Sequence, residues 1–404
     1  MGRYLRILAL SFAATLLAVA AFTRLIDPYA YWGGPEIAGL NRYKPASVKH
    51  LRAVKLRQVE RVQPATLLVG NSRVGVGFDP EAAAWPAEAR PVYNLGLAGT
   101  GTAELVEAAV EAMDRTRPKA LVFAADFVDF RVTLRDWRTW NATHAVPAGT
   151  GAVREKVEVL LSLAALTDSL GAMAEQHKAY PAHLTRAGFD SLASYNDNVA
   201  AEGHAALFEQ RHRENIARYL AGPKAVRWPG PGNSASWAAL DRLAEECRRR
   251  GVALTIVTYP YHVELLLAFE RAGLWGAFED WQRGLAAFSA RTGTPVWDFS
   301  RVTPEVAEPV PAPGDTRTHM RWYWEAGHFK AALGALVAAD LASPQPRLGR
   351  RLTREALAAQ LAEKRLGLAR YRLAGREETE RFERLFAQVR AASGPPELIE
   401  SASR

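Results

Sequence analysis

Apolar and polar positions alternate along the chain in three distinct ways. The first sixteen-residue apolar run, Ile7 to Phe22, carries no charge and follows Arg3 and Arg6. Tyr4 and Leu25–Ile26 extend it toward the roughly 20 residues a spanning helix needs. Residues 1–26 therefore read as an uncleaved membrane anchor, with Asp27-Pro28-Tyr29 and Trp32 as an interfacial exit. A cleaved signal peptide is the rival, because Ala18-Val19-Ala20 fits the small-residue cleavage pattern. Both readings place the remainder on the extracytoplasmic, periplasmic side.

The second pattern is a set of short, fully apolar runs: Thr66–Val69, Pro91–Tyr93, Ala120–Ala124, Ala253–Thr258 and Pro295–Trp297. Strands without polar alternation are buried on both faces, which implies a parallel sheet covered by helices. Helical stretches separate them, so the spacing predicts an α/β fold with a doubly wound, flavodoxin-like five-stranded parallel sheet. The third pattern is helical periodicity outside the sheet. Residues 27–62 form a juxtamembrane connector, helical from about Ser47. An insert over 131–240 is helical in pattern, as in Val153–Leu170 and Asn198–Tyr219, with a Pro/Gly break at residues 228–232. It is too long for a loop and is expected to cap the carboxyl edge of the sheet. Pro344 and Pro346 close the main domain, residues 63–343. Thr353–Leu373 and Glu377–Ala392 then make a helical tail, parted by Gly375, over 344–404.

Composition narrows the function. With 49% hydrophobic and 23% charged residues the chain folds, which excludes wholesale disorder. The net charge of +8 is concentrated, since residues 347–404 hold thirteen Lys/Arg against eight Asp/Glu. Such a tail suits an anionic membrane surface or an acidic glycan; a solvated amphipathic helix is the plainer reading. No nucleic-acid motif accompanies the charge, so nucleic acid is not expected as a partner. Cys247 stands alone, and the nine histidines lack metal-ligand spacings. Neither a metal nor a cofactor is expected.

Candidate chemistry follows from what comes after each strand, because ligands of open α/β sheets bind beyond the carboxyl ends. The runs deliver, in order, Gly70-Asn71-Ser72-Arg73, then Asn94-Leu95-Gly96 with a glycine-rich turn, then Asp126, then Tyr259-Pro260-Tyr261-His262. Beyond the fifth lies Trp324-Glu325-Ala326-Gly327-His328. A serine, a glycine turn, a carboxylate and two histidines at one edge are what acyl transfer requires. Each has a plainer explanation: Ser72 as a turn residue, Gly96 as a tight turn, Glu325–His328 as a helical pair, Arg73 as a structural ion pair. His262 competes with His328 as base, or serves as a wall of the pocket. Trp322, Tyr323 and Trp324 could stack on a sugar or simply pack.

Gly70-Asn71-Ser72 resembles the first block of SGNH (GDSL-type) hydrolases, Asn94-Leu95-Gly96 the second, and Glu325-Ala326-Gly327-His328 the last, Asp-x-x-His. The resemblance covers about residues 51–341, and the anchor points to the branch associated with cell-envelope and exopolysaccharide acylation, similar to alginate O-acetylation proteins. It implies Ser72 as nucleophile, His328 as base, Glu325 orienting it, and the Ser72 and Gly96 N–H groups as the oxyanion hole. Asn71, Arg73, Asn94, Asp126, Tyr261 and His262 would surround the pocket. Two positions depart from the pattern. Asp126 replaces the asparagine of the third block, so it is either protonated, turned away, or a weakness in the oxyanion hole. Glu325 replaces the usual Asp. The implied function is an extracytoplasmic serine esterase or O-acyltransferase, using an acylated polysaccharide or an acyl donor protein. The alternative is a non-catalytic SGNH-like module that binds glycan or scaffolds a membrane partner.

Overall fold

The computed structural model describes residues 1–132, 151–222, 224–227, 234–374 and 376–393, with only the backbone at 151–155. The Pro/Gly break at 228–232 and the helix parting at Gly375 lie outside the described residues.

A mostly parallel sheet forms the centre. Its strands are β1 (Thr66–Gly70), β2 (Val92–Gly96), β3 (Ala120–Ala125), β4 (Ala253–Thr258), β5 (Val296–Asp298) and β8 (Arg350–Arg351), in the order β2-β1-β3-β4-β5-β8. β1, β2 and β5 are buried at every position, as the unbroken apolar runs require. The first five strands are parallel, and the order reverses at β1, so the crevice beside it opens where ligands usually bind. A two-stranded antiparallel ribbon, β6 (Tyr323–Glu325) and β7 (His328–Phe329), stands apart from the sheet.

Thirteen α-helices lie among the described residues: α1 (Gly2–Ile26), α2 (Leu51–Val62), α3 (Ser72–Gly77), α4 (Thr102–Arg115), α5 (Gly151–Leu161), α6 (Leu163–Glu175), α7 (Tyr195–Leu220), α8 (Ala235–Arg250), α9 (Val263–Arg271), α10 (Trp275–Thr292), α11 (Ala331–Ala342), α12 (Arg354–Leu373) and α13 (Glu377–Ala392). Among the described residues α1 alone is long and apolar enough to cross a membrane, and its apolar window is wholly uncovered by protein. A helix of that kind is a membrane anchor or a signal sequence.

The sheet has six strands rather than five, and the sixth comes from the basic C-terminal segment. Asp340 at the end of α11 accepts hydrogen bonds from the Arg347, Leu348 and Gly349 N–H groups, which turns the chain into β8, antiparallel to β5. The helices that follow are not a solvated tail. Leu368, Tyr371, Phe382, Leu385, Phe386 and Val389 join the main core. Lys364 enters it as well, pairing with Asp298 at 3.0 Å with both side chains about 1% exposed. Much of the positive charge therefore decorates the outside of docked helices.

The insert divides in two. Ser162 breaks the expected Val153–Leu170 helix by accepting from the Ala165 N–H, a side-chain cap that starts α6. The α5–α6 hairpin packs against the end of α1 and the connector, where Tyr29, Tyr31, Ala46, Val54, Val159 and Ala165 make a second small core. Among the insert's described helices, α7 packs against the ribbon near the carboxyl edge of the sheet.

Candidate active site

β1 runs into α3 through Gly70-Asn71, and Asn71 caps that helix by accepting from the Arg73 N–H at 3.0 Å. Ser72 thereby occupies the first helical position, whose N–H has no partner within the helix. Two close approaches hold the surroundings. A side chain at Gly96 would meet the Gly75 backbone, and one at Gly77 would collide with the Phe329 ring, so glycine alone lets β2 and β7 press against α3. Phe329 also packs edge-on against Phe78.

That packing brings the ribbon to the serine. His328 Nε2 lies 2.8 Å from Ser72 Oγ, across 256 residues of chain. His328 Nδ1 faces Glu325 Oε1 in a short contact. Glu325 is 1% exposed. Burial alone would raise its carboxyl, but His328, the Arg211 guanidinium and the Gly327 N–H at 2.6 Å outweigh it and hold it below the usual range. A carboxylate on Nδ1 fixes the tautomer that leaves Nε2 free to accept a proton. Ser72, His328 and Glu325, the three residues that the resemblance implied, thus come together.

The oxyanion side is arranged differently from the sequence expectation. The Gly96 N–H donates to Asn94 Oδ1 at 2.8 Å, so it is already engaged and not offered to a substrate. Asn94 is fully buried, and its amide donates to the Val74 and Phe78 carbonyls; it ties β2 to α3 and does not line a pocket. Asp126 is neither turned away nor isolated. It accepts from Asn71 Nδ2 at 2.7 Å, from the Tyr261 hydroxyl at 2.8 Å and from the Val128 N–H, and it pairs with the Arg73 guanidinium. Burial would lower Arg73, but the Asp126 charge prevails and keeps the guanidinium firmly protonated. Arg73 lies over both Tyr259 and Tyr261, whose hydroxyls burial and the Asp126 charge push well above their ordinary value.

His262 is not available as a base. It is wholly buried, its Nδ1 accepts from the Glu264 N–H to cap α9, and its Nε2 donates to the Glu308 carbonyl at 2.9 Å. Tyr323 and Trp324 are buried too, with Lys330 over the Trp324 ring, so neither presents a free face to a sugar.

Residues without any local signature complete the site. Arg211 of α7 places Nε 3.1 Å from Glu325 Oε2. His204 of the same helix donates from Nδ1 to the Trp324 carbonyl and accepts the Met320 N–H on Nε2. Lys55 of α2 donates to the Gly96 carbonyl at 2.6 Å and is buried far enough to bring its amine down to about 7. Gly203, inside α7 with φ of 78°, lets the helix approach the Asp315 backbone. Among the described residues no cluster of side chains could hold a metal ion. No family model, curated protein or solved structure matches the chain.

Proposed function

We propose that this chain is a membrane-anchored, extracytoplasmic serine esterase or O-acyltransferase of the SGNH type, acting on acyl, foremost acetyl, esters of a cell-surface glycan. The observation that carries the reading is the unbroken relay from Ser72 through His328 to Glu325. The strand order β2-β1-β3-β4-β5 agrees with a doubly wound, flavodoxin-like sheet with its site at the switch point.

In this mechanism Ser72 Oγ attacks the ester carbonyl while His328 Nε2 takes its proton. Glu325, held ionised, stabilises the imidazolium that results. The negative oxygen of the tetrahedral intermediate is received by the Ser72 N–H. Collapse breaks the bond to the leaving alkoxide, which takes the proton back from His328. The acyl-enzyme then passes its acyl group to water or to a glycan hydroxyl by the same steps in reverse. The glycan assignment rests on the exopolysaccharide branch that the motifs resemble, together with the apolar α1.

One observation favours the second reading, a non-catalytic glycan-binding or scaffolding module: of the two expected oxyanion donors, the Ser72 and Gly96 N–H groups, the Gly96 one is already spent inside the protein. Hydrolysis of p-nitrophenyl acetate by membrane-extracted full-length protein separates the two. The enzyme reading expects turnover that Ser72→Ala removes; a folded wild type without turnover gives the case to the module. Intact mass of the extracted protein tests the anchor, since a mature N-terminus at Ala21 would mean a cleaved signal.

A further inference from the structure

Helix α6 of the α5–α6 hairpin is built inside out, whereas α5 exposes Lys156 and Glu158 beside Val157. On α6 the exposed positions are Leu163, Ala164, Thr167, Leu170, Gly171 and Ala174, a single uncharged stripe at helical spacing. Leu163 is 77% and Leu170 56% exposed, and Val157 on α5 adds 52%. The charged residues of α6 turn the other way. Asp168 accepts from the Tyr29 hydroxyl at 2.9 Å and from Lys49 at 2.7 Å. Glu175 is 5% exposed and receives the Ala182 N–H. A surface helix in water carries its polar residues outward, so this arrangement calls for an apolar surrounding.

What surrounds it is indicated by where the hairpin sits. Its corner meets the last turns of α1: Thr23 Oγ1 donates to the Leu160 carbonyl at 2.5 Å, and Thr23 and Ile26 are the buried residues of α1. Val19, Ala20 and Phe22 are partly covered there, whereas every residue from Met1 to Ala18 is exposed. From Val19 to Ile26 the helix rises about 10 Å, close to a third of a bilayer core. Arg24 stands over the Trp32 ring at 5.4 Å, a pair suited to the headgroup level. The uncharged stripe of α6 thus lies on a hairpin that packs against the last turns of a spanning α1.

We propose that the α5–α6 hairpin is a second membrane contact, with α6 lying in the outer boundary of the bilayer beside α1. The inference rests on α1 being an anchor. Two contacts fix a height and a tilt where a single helix would fix only a tether. The occupant of the stripe is lipid, because the stripe adjoins the one apolar span among the described residues and has no charge to pair with a protein.

The test uses full-length protein in phosphatidylcholine–phosphatidylglycerol vesicles, with buried Cys247 replaced by Ala and single nitroxide labels at Leu163→Cys, Leu170→Cys, Leu10→Cys and Arg248→Cys. Each labelled variant must keep the parent's melting temperature, and those that do are read by collision with oxygen and with a water-soluble nickel chelate. Labels at 163 and 170 are expected to behave like the one in α1, favouring oxygen several-fold over the exposed site at 248. Water-like labels at 163 and 170 with a lipid-like one at 10 overturn the hairpin proposal alone. A water-like label at 10 overturns the anchor itself. Shielding of 163 and 170 from both reagents means a protein covers them, and also overturns the proposal.

Discussion

The two sides of the candidate site were assembled under different constraints. On the acid–base side, three side chains meet in one line, and each atom has a single role: Ser72 Oγ to His328 Nε2, His328 Nδ1 to Glu325. On the oxyanion side the same short stretch of sequence is rewired. Asn71 serves Asp126, the Gly96 N–H serves Asn94, and a buried Arg73–Asp126 pair fills the space where a neutral amide was expected. The relay depends on a few directed contacts and tolerates an extra methylene at Glu325. The oxyanion side depends on which donors remain unspent, and there Asp126 takes the Asn71 amide while Asn94 takes the Gly96 N–H.

The largest expected effect lies on the relay. His328→Ala should lower ester turnover on the order of 10^4-fold, and Glu325→Gln by somewhat less, because the wrong tautomer rather than the missing base is then the fault. Equal, mild losses in both would break the contrast drawn between the two sides. They would leave the serine activated by something else.

On the other side the expected damage is to folding. Arg73→Met strands the buried Asp126 carboxylate, and breaking such a pair costs about 3–5 kcal/mol. Asp126→Asn should restore part of that loss in the double variant, read as recovered midpoint in urea unfolding. If Asp126→Asn alone instead raises turnover strongly at unchanged stability, the carboxylate is opposing the oxyanion and its wrapping by donors does not neutralise it.

The comparison sharpens at Arg211, which touches the relay without belonging to it. Arg211→Met should lower kcat by roughly tenfold with KM unchanged, a loss near 1.4 kcal/mol, because Glu325 keeps His328 and Gly327 as partners. A rise in KM alone would place Arg211 on the substrate instead.

Smallest is a pH effect at His204, which holds the β6–β7 ribbon. Burial brings this imidazole down to about 4 from an ordinary 6.5. The unfolded chain binds the proton as pH falls through 6.5, and the folded one resists until about 4. The contribution to stability is thus present above 6.5 and is lost as pH falls toward 4. His204→Asn should flatten the slope of melting temperature against pH in that window. An unchanged slope would assign acid sensitivity to other groups.

How much of this was legible in the sequence follows the same division. Strand starts and the residues just after them were readable, because fully buried strands leave apolar runs with sharp ends; β4 spans Ala253–Thr258 as expected. β8 was not, since Arg350–Arg351 has no strand character of its own and owes its pairing to the turn that Asp340 organises. Ser72 and His328 were legible as strand-end residues, and their joining with Glu325 into one set came from the resemblance to the SGNH blocks. His262 was a competitor until both ring nitrogens proved occupied, which no spacing reveals. Arg211 and His204 reach Glu325 and Trp324 from a helix more than a hundred residues earlier, so only the tertiary packing of α7 discloses them. Helix α6 has ordinary periodicity, and which of its faces points outward is likewise a tertiary fact.

The central claim is that Ser72 is a nucleophile activated by His328. A fluorophosphonate probe applied to the full-length, membrane-extracted protein, followed by peptide mapping in a mass spectrometer, tests it directly. The account predicts one adduct, on the peptide bearing Ser72, absent in Ser72→Ala and strongly reduced in His328→Ala at unchanged melting temperature. An adduct that persists in Ser72→Ala, or a folded wild type that takes no label, would contradict it.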